Sequence, residues 1–181
     1  YRKRHLVPFS EYFPVPDSIR RWMRLVGLPY SDISPGENNQ NLLKIGDDYK
    51  LAVAICYEDA FGVEQLYAYP EAAISINVSN DAWFGDTIAP HQHLQIARMR
   101  AIEVGRYIIR ATNNGISGFI DPKGRLIKAG EQFLPLSISR NVYPMEGVTP
   151  YIIWGNFPII IICIIFIIAL VFPFGFKIKN Q

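Results

Sequence analysis

The chain has 181 residues, with 18 Lys plus Arg against 16 Asp plus Glu, a formal charge of +2. So even a balance argues against the clustered basic face that nucleic-acid binding needs, and at 50% hydrophobic and 19% charged the chain is no disordered tail. Its 2 Cys, far apart in sequence, exclude a disulfide scaffold and a cysteine-rich zinc site.

The first residues, Tyr1-Arg-Lys-Arg-His5, start without Met and carry no signal-peptide pattern, so the chain reads as N-terminally truncated. Asp17 to Leu28 is a predicted helix, and Ser31 to Asn41, rich in Ser, Pro, Gly and Asn, a loop. Leu51 to Ile55 is a short apolar run that fits a buried strand. Asp59 to Tyr69 is a predicted helix stopped by Pro70, and Ala72 to Ser79, alternating and β-branched, a second strand. Asn80 to Asp86 is a loop rich in Gly and Asp. Pro90 opens a helix over 91–105 with Leu94, Ala97, Ala101 and Val104 on one face. Tyr107 to Thr112 and Ser117 to Ile120 read as strands. Asp121-Pro-Lys-Gly124 is a turn that closes a hairpin with Arg125 to Lys128. Strand, helix and strand in that order, then a hairpin, predict an α/β domain over residues 1–150.

From Tyr151 to Phe176 no residue is charged. As one helix these residues extend about 39 Å, against a bilayer core of about 30 Å. Pro158 and Pro173 fall near the two ends, and Tyr151 and Trp154 sit where an aromatic belt belongs. A transmembrane helix over 151–176 is therefore expected, the alternative being a buried, Ile-rich strand pair. Cys163 is filler inside that span. Lys177 and Lys179 begin a tail, 177–181, that the positive-inside rule puts in the cytoplasm, with the domain across the membrane.

Cys56 is the first candidate for chemistry. It follows a strand and precedes a helical segment, where a side chain is exposed, a helix N-terminus lowers a thiol pKa, and backbone N–H groups can face an oxyanion. The alternative is a buried structural cysteine. Lys3, Glu11 and Glu58 supply an ammonium and carboxylates that could assist a thiol. His91 and His93, at i and i+2, share no helix face and have no metal-ligand spacing around them, so they read as polar residues at a helix start. No metal or cofactor is expected.

Ile55-Cys56-Tyr57-Glu58 after an apolar strand resembles the nucleophile motif of the nitrilase, or carbon–nitrogen hydrolase, superfamily. More narrowly, Lys3-Arg-His-Leu-Val-Pro-Phe-Ser-Glu11 is similar to the lysine segment of the bacterial apolipoprotein N-acyltransferases. Asn77-Val-Ser-Asn-Asp-Ala-Trp-Phe-Gly85, the helix from His91 to Glu103, Ala111-Thr-Asn-Asn-Gly-Ile-Ser117 and Thr149-Pro-Tyr151 before an apolar span match that family in order.

The resemblance implies a nitrilase-like αββα sandwich, its N-terminal part missing, set in the bacterial inner membrane and facing the periplasm. It implies a Glu-Lys-Cys enzyme with Cys56 as nucleophile and Lys3 as the triad lysine. Glu11 becomes an additional site carboxylate and Glu58 the carboxylate two positions after the nucleophile. Tyr57, Trp83 and Phe84 fall near the acyl chain and substrate entrance. The implied reaction moves an acyl chain from a membrane phospholipid to the N-terminal amine of a diacylglyceryl-cysteine apolipoprotein, through a thioester. The triad glutamate of that family lies upstream of its lysine motif, so these 181 residues alone are expected to be inactive. Ser10 stands where the family has Gly, a strained substitution if φ there is positive. A membrane-anchored amidase, or an inactive remnant acting as an interaction module, are the alternatives.

Overall fold

A computed structural model describes residues 1–26 and 33–177 of the chain. Its centre is a six-stranded mixed sheet in the order β1 (Leu43–Ile45), β2 (Tyr49–Ile55), β3 (Ala72–Asn80), β4 (Ile108–Asn113), β5 (Gly118–Ile120), β6 (Leu126–Ala129). The three inner strands β2, β3 and β4 are parallel; β1, β5 and β6 are antiparallel at the edges. Parallel neighbours need crossovers, and α3 (Ala89–Val104) supplies the one from β3 to β4.

Because side chains alternate along a strand, the register fixes what each sheet face presents. Ala52 pairs with Ser75 and Ala54 with Asn77, while Ser75 and Asn77 pair with Ile108 and Arg110. That face takes α3: Leu94, Ala97 and Ala101 pack with Ile108, Ile116 and Ile120. Val104 packs with Ala52 and Ala72. Alanines at 97 and 101 leave no side chain to hold the helix off the sheet. The other face carries Leu51, Ala73 and Ile74 beneath Val142, with Ile76 and Ile109 against them. Toward the ends of the parallel strands that face opens: Val53, Ile55 and Ile76 are half-buried and Val78 is exposed.

The strands, the long helix and the 121–124 turn fall where the sequence predicts them. So does α1 (Asp17–Leu25), although the predicted end at Leu28 lies outside the described residues. Three expectations change. The single helix over 59–69 is instead a 3-10 turn, Cys56–Ala60, the short α2 (Gly62–Gln65) and a second 3-10 turn, Leu66–Ala68. Gly62 lies so close under α3 that an added Cβ would meet Arg100 Nη1 at 1.3 Å, and the segment follows α3 rather than its own helical path. The 80–86 loop contains a 3-10 turn, Asp81–Phe84. Finally, β1 was not expected, since all three of its residues are exposed and show no alternation.

The C-terminal stretch is divided. α4 (Pro150–Trp154) ends at Gly155, whose φ of 52° stops it, and α5 (Phe157–Lys177) follows. Thr149 caps α4 by accepting from Ile152 N at 3.1 Å and donates its hydroxyl to Glu103 O. Ile152 packs on the core. Tyr151 and Ile152 thus belong to the domain, which corrects the single helix expected over 151–176. Among the described residues no helix is long and apolar enough to cross a membrane. The side chains of α5 are described through Val171, about 22 Å of helix. The tail from residue 178 lies outside the described residues.

Candidate active site

β2 ends by handing Cys56 to a 3-10 turn in which the cysteine itself adopts φ 53°. That left-handed conformation costs a residue with a Cβ about 1–2 kcal/mol. A non-glycine residue holds it only where its surroundings impose it, and such residues cluster at functional sites. Here Glu58 imposes it. Its carboxylate, 1% exposed, accepts the backbone N–H of Ile55 at 2.6 Å and of Arg4 at 2.6 Å. It also accepts the Tyr1 hydroxyl at 3.1 and 3.0 Å, with Arg4 Nε 3.8 Å away. One buried side chain therefore ties the residue before the cysteine to the residue after Lys3. Burial first, and then the Glu58 charge, raise the Tyr1 pKa, so that hydroxyl stays a donor.

Lys3 and Glu11 form the second piece. Lys3 Nζ donates to both carboxylate oxygens at 2.7 Å, and Val7 N donates to Glu11 Oε2 at 2.7 Å. The positive φ in this segment falls on Phe9, at 63°, and not on Ser10. The strain expected of Ser10 in the glycine position is therefore absent. Beside this pair an aromatic group forms. The His5 ring stacks on Phe61 at 3.9 Å, Tyr57 meets Phe61 edge-on at 5.1 Å, and His5 Nε2 pairs with Glu64. Tyr57 is exposed next to Cys56. Trp83 and Phe84 lie on the turn after β3, and both are exposed, Trp83 at 80%.

A buried polar cluster lies behind the turn, and sequence reasoning missed it. Arg110, on β4, donates to Asp81 Oδ2 at 2.9 Å and to Asn77, its register partner, and its Nη1 is 3.6 Å from Asp59 Oδ2. His93 Nδ1 donates to Asp81 Oδ1 at 2.8 Å, and Ser79 Oγ donates to the same oxygen at 2.7 Å. His93, half-buried in the first turns of α3, is thus a partner of Asp81 as well as the polar helix-start residue expected; His91 is exposed. Burial raises the Asp81 pKa, but the His93 and Ser79 hydrogen bonds and the His93 and Arg110 charges outweigh it and leave the carboxyl below its ordinary value. For Asp59 burial wins. Its carboxyl is pushed up to about 6, although Arg110, His93, Arg100 and Gln65 each pull it down. One signal was available: Arg110 stands at an inward position of an apolar strand, where a charge must find partners. Among the described residues no group of His, Cys, Asp and Glu is arranged to hold a metal.

Cys56, the turn after β3 and the end of β4 all lie at the carboxyl ends of parallel strands, where open α/β sheets carry their sites. Comparison with known proteins gives the family. The carbon–nitrogen hydrolase family model matches residues 1–138. The chain is 47% identical over 163 residues to an apolipoprotein N-acyltransferase of Methylococcus capsulatus, covering 90% of this chain and 32% of that protein. It is 44% identical over 156 residues to one of Nitrosomonas europaea, covering 86% and 31%. The chain thus spans about a third of the length of the curated relatives it matches. By the family match over most of its length, the chain belongs to the carbon–nitrogen hydrolases.

Proposed function

We propose that this chain carries the nucleophile and lysine of an apolipoprotein N-acyltransferase. The observation that carries the reading is Cys56, held in a left-handed turn by Glu58, which also anchors the Lys3 segment. The identity to N-acyltransferases supports it. In the first half-reaction the Cys56 thiolate attacks the ester carbonyl of a phospholipid. The carbon–oxygen bond breaks, lysophospholipid leaves with a proton, and a thioester remains. Lys3 and the N–H groups of the turn stabilise the oxyanion. In the second, the α-amine of a diacylglyceryl-cysteine apolipoprotein attacks the thioester, an amide forms, and the thiol is regenerated.

Glu11 fixes the Lys3 ammonium, and Glu58 positions the turn. Lys3 and Val7 engage Glu11, and Ile55, Arg4 and Tyr1 engage Glu58, so we assign the thiol proton to a different carboxylate, which completes the Glu-Lys-Cys set. Tyr57, Trp83 and Phe84 line the approach for the acyl chain. α5 seats the protein in the bacterial inner membrane with the domain in the periplasm and the C-terminus in the cytoplasm. A second sheet covers the open face at Val53, Ile55, Ile76 and Val78, completing an αββα sandwich.

The test uses the protein at its full length, whether that is these 181 residues or a longer product of the same reading frame. Incubated with phospholipid, it should gain one acyl mass on the peptide holding Cys56. A diacylated lipopeptide should then discharge it as an N-acyl product. Cys56→Ser should abolish both. Transfer retained by Cys56→Ser, or release of ammonia or free fatty acid alone, overturns the reading.

A further inference from the structure

Two buried polar atoms behind the nucleophile turn face each other with no hydrogen-bond partner. They are Asp59 Oδ2 and His93 Nε2, 4.0 Å apart. Asp59 belongs to the same five-residue turn as Cys56 and is 2% exposed. His93 sits in the first turns of α3, and its orientation is fixed from the other side, because Nδ1 donates to Asp81. With Nδ1 carrying a hydrogen, Nε2 and the Asp59 carboxyl can bond only if one proton lies between them, on the acid or on the ring. The other neighbours are Arg110 from β4, with Asp81 on its second nitrogen, Arg100 from α3, engaged by Glu103, and Gln65 from α2.

We propose that Asp59 and His93 are a positioning pair for Cys56: their bridge locks the nucleophile turn against α3, and through Asp81 it couples that turn to the one bearing Trp83. This rests on the acyl-transfer reading for its substrate but not for its geometry. Glu58 holds the front of the turn through backbone N–H groups, and the only other polar side chain the turn sends inward is Asp59. A left-handed cysteine persists where its surroundings over-determine it, and Asp59 is placed to add to what Glu58 supplies. Burial pushes the Asp59 carboxyl up to about 6, so the acid itself carries the bridging proton below that pH. Apo geometry at such sites is often long and tightens when substrate binds, and closing this gap takes about 1 Å to reach hydrogen-bond distance.

The experiment compares Asp59→Ala, Asp59→Asn, His93→Gln and the Asp59→Ala/His93→Gln double variant in the full-length protein. The reading is the rate of thioester formation at Cys56 with phosphatidylethanolamine in detergent micelles. Asp59→Ala should lower the rate at saturating donor at least tenfold and leave half-saturation within threefold. Asp59→Asn supplies a permanent donor to Nε2 and should recover to within threefold of the parent. The double variant should be no slower than the slower single, since either change removes the same bridge. An unchanged rate in Asp59→Ala, an Asn variant as slow as the Ala variant, or multiplying effects in the double each overturn the proposal. Where Asp59→Ala does not fold, His93→Gln decides, with a fivefold lower rate expected and an unchanged rate against. If the parent forms no thioester, the acyl-transfer reading fails alone. Iodoacetamide alkylation of the Cys56 peptide then still ranks the variants. The proposal expects it at least fivefold slower when the bridge is lost, and equal rates overturn it.

Discussion

Asp59 carries a burial cost that depends on pH, and its sign can be worked out. The folded carboxyl sits at about 6 against an ordinary 3.8, so between those values the folded state holds a proton that the unfolded state has lost. The resulting stability is present below about pH 4 and lost as pH rises through 6, a loss on the order of 3 kcal/mol. Asp59→Asn never ionises. Its melting temperature relative to the parent should therefore climb between pH 4.5 and pH 7.5, by several degrees in a chain of this size. A constant difference across that range, by scanning calorimetry, counts against a raised Asp59. Glu58 shows the opposite design, a carboxylate whose oxygens accept from three donors. Glu58→Ala should strand the Arg4 and Ile55 N–H groups and destabilise the domain by about 3 kcal/mol. Cys56, Lys3, Glu11 and Glu58 each lie in a short contiguous motif, which is what lets the sequence nominate them as candidates. Asp59, His93 and Arg110 were not legible, because three separate elements contribute one residue each.

At the scale of elements, periodicity located what is long and missed what is bent. α3 was legible because Leu94, Ala97, Ala101 and Val104 repeat along about three turns, and all four are buried. The 59–69 segment is divided into three short pieces. Its shape is set by Gly62 beneath Arg100 and by the left-handed Cys56 just before it, and neither leaves a trace in hydrophobic spacing. The turn after β3 depends on a similar close approach. A Cβ at Gly115 would meet Asp81 Oδ2 at 2.3 Å, Thr112 Oγ1 at 2.8 Å and Asp81 Cβ at 2.9 Å. Asp81 cannot swing away, because Arg110, His93 and Ser79 all hold it. Gly115→Ala should therefore cost about 2 kcal/mol, the range of overpacking, and lower the melting temperature by about 4–8 °C. An unchanged melting temperature means that the β4–β5 connection yields and the Asp81 cluster does not govern this turn.

At the scale of the whole molecule, the domain and the apolar C-terminal helix are joined by a fixed corner. α4 is fastened to α3 by Thr149 and Ile152, and Arg106, 1% exposed, clamps the approach to it by donating to Ala72 O at 2.7 Å and Gly147 O at 2.8 Å. α5 therefore leaves the domain at Gly155 with its Ile, Leu, Val and Phe side chains through Val171 exposed, a contiguous apolar surface. The absence of charge made this segment legible in sequence; its break did not, because Gly155 interrupts hydrogen bonding without interrupting hydropathy. Cys163 reports on what covers the helix. It is an exposed thiol six residues past the start of α5, about 9 Å along the axis. Thiols react as thiolates, which need water. With α5 in lipid, a Cys56→Ser protein in native membranes should resist N-ethylmaleimide at Cys163 and label fully once dissolved in sodium dodecyl sulfate. If α5 instead lies in water beside the domain, Cys163 should label at the same rate before and after detergent, and the membrane seat proposed for this helix must then be given up.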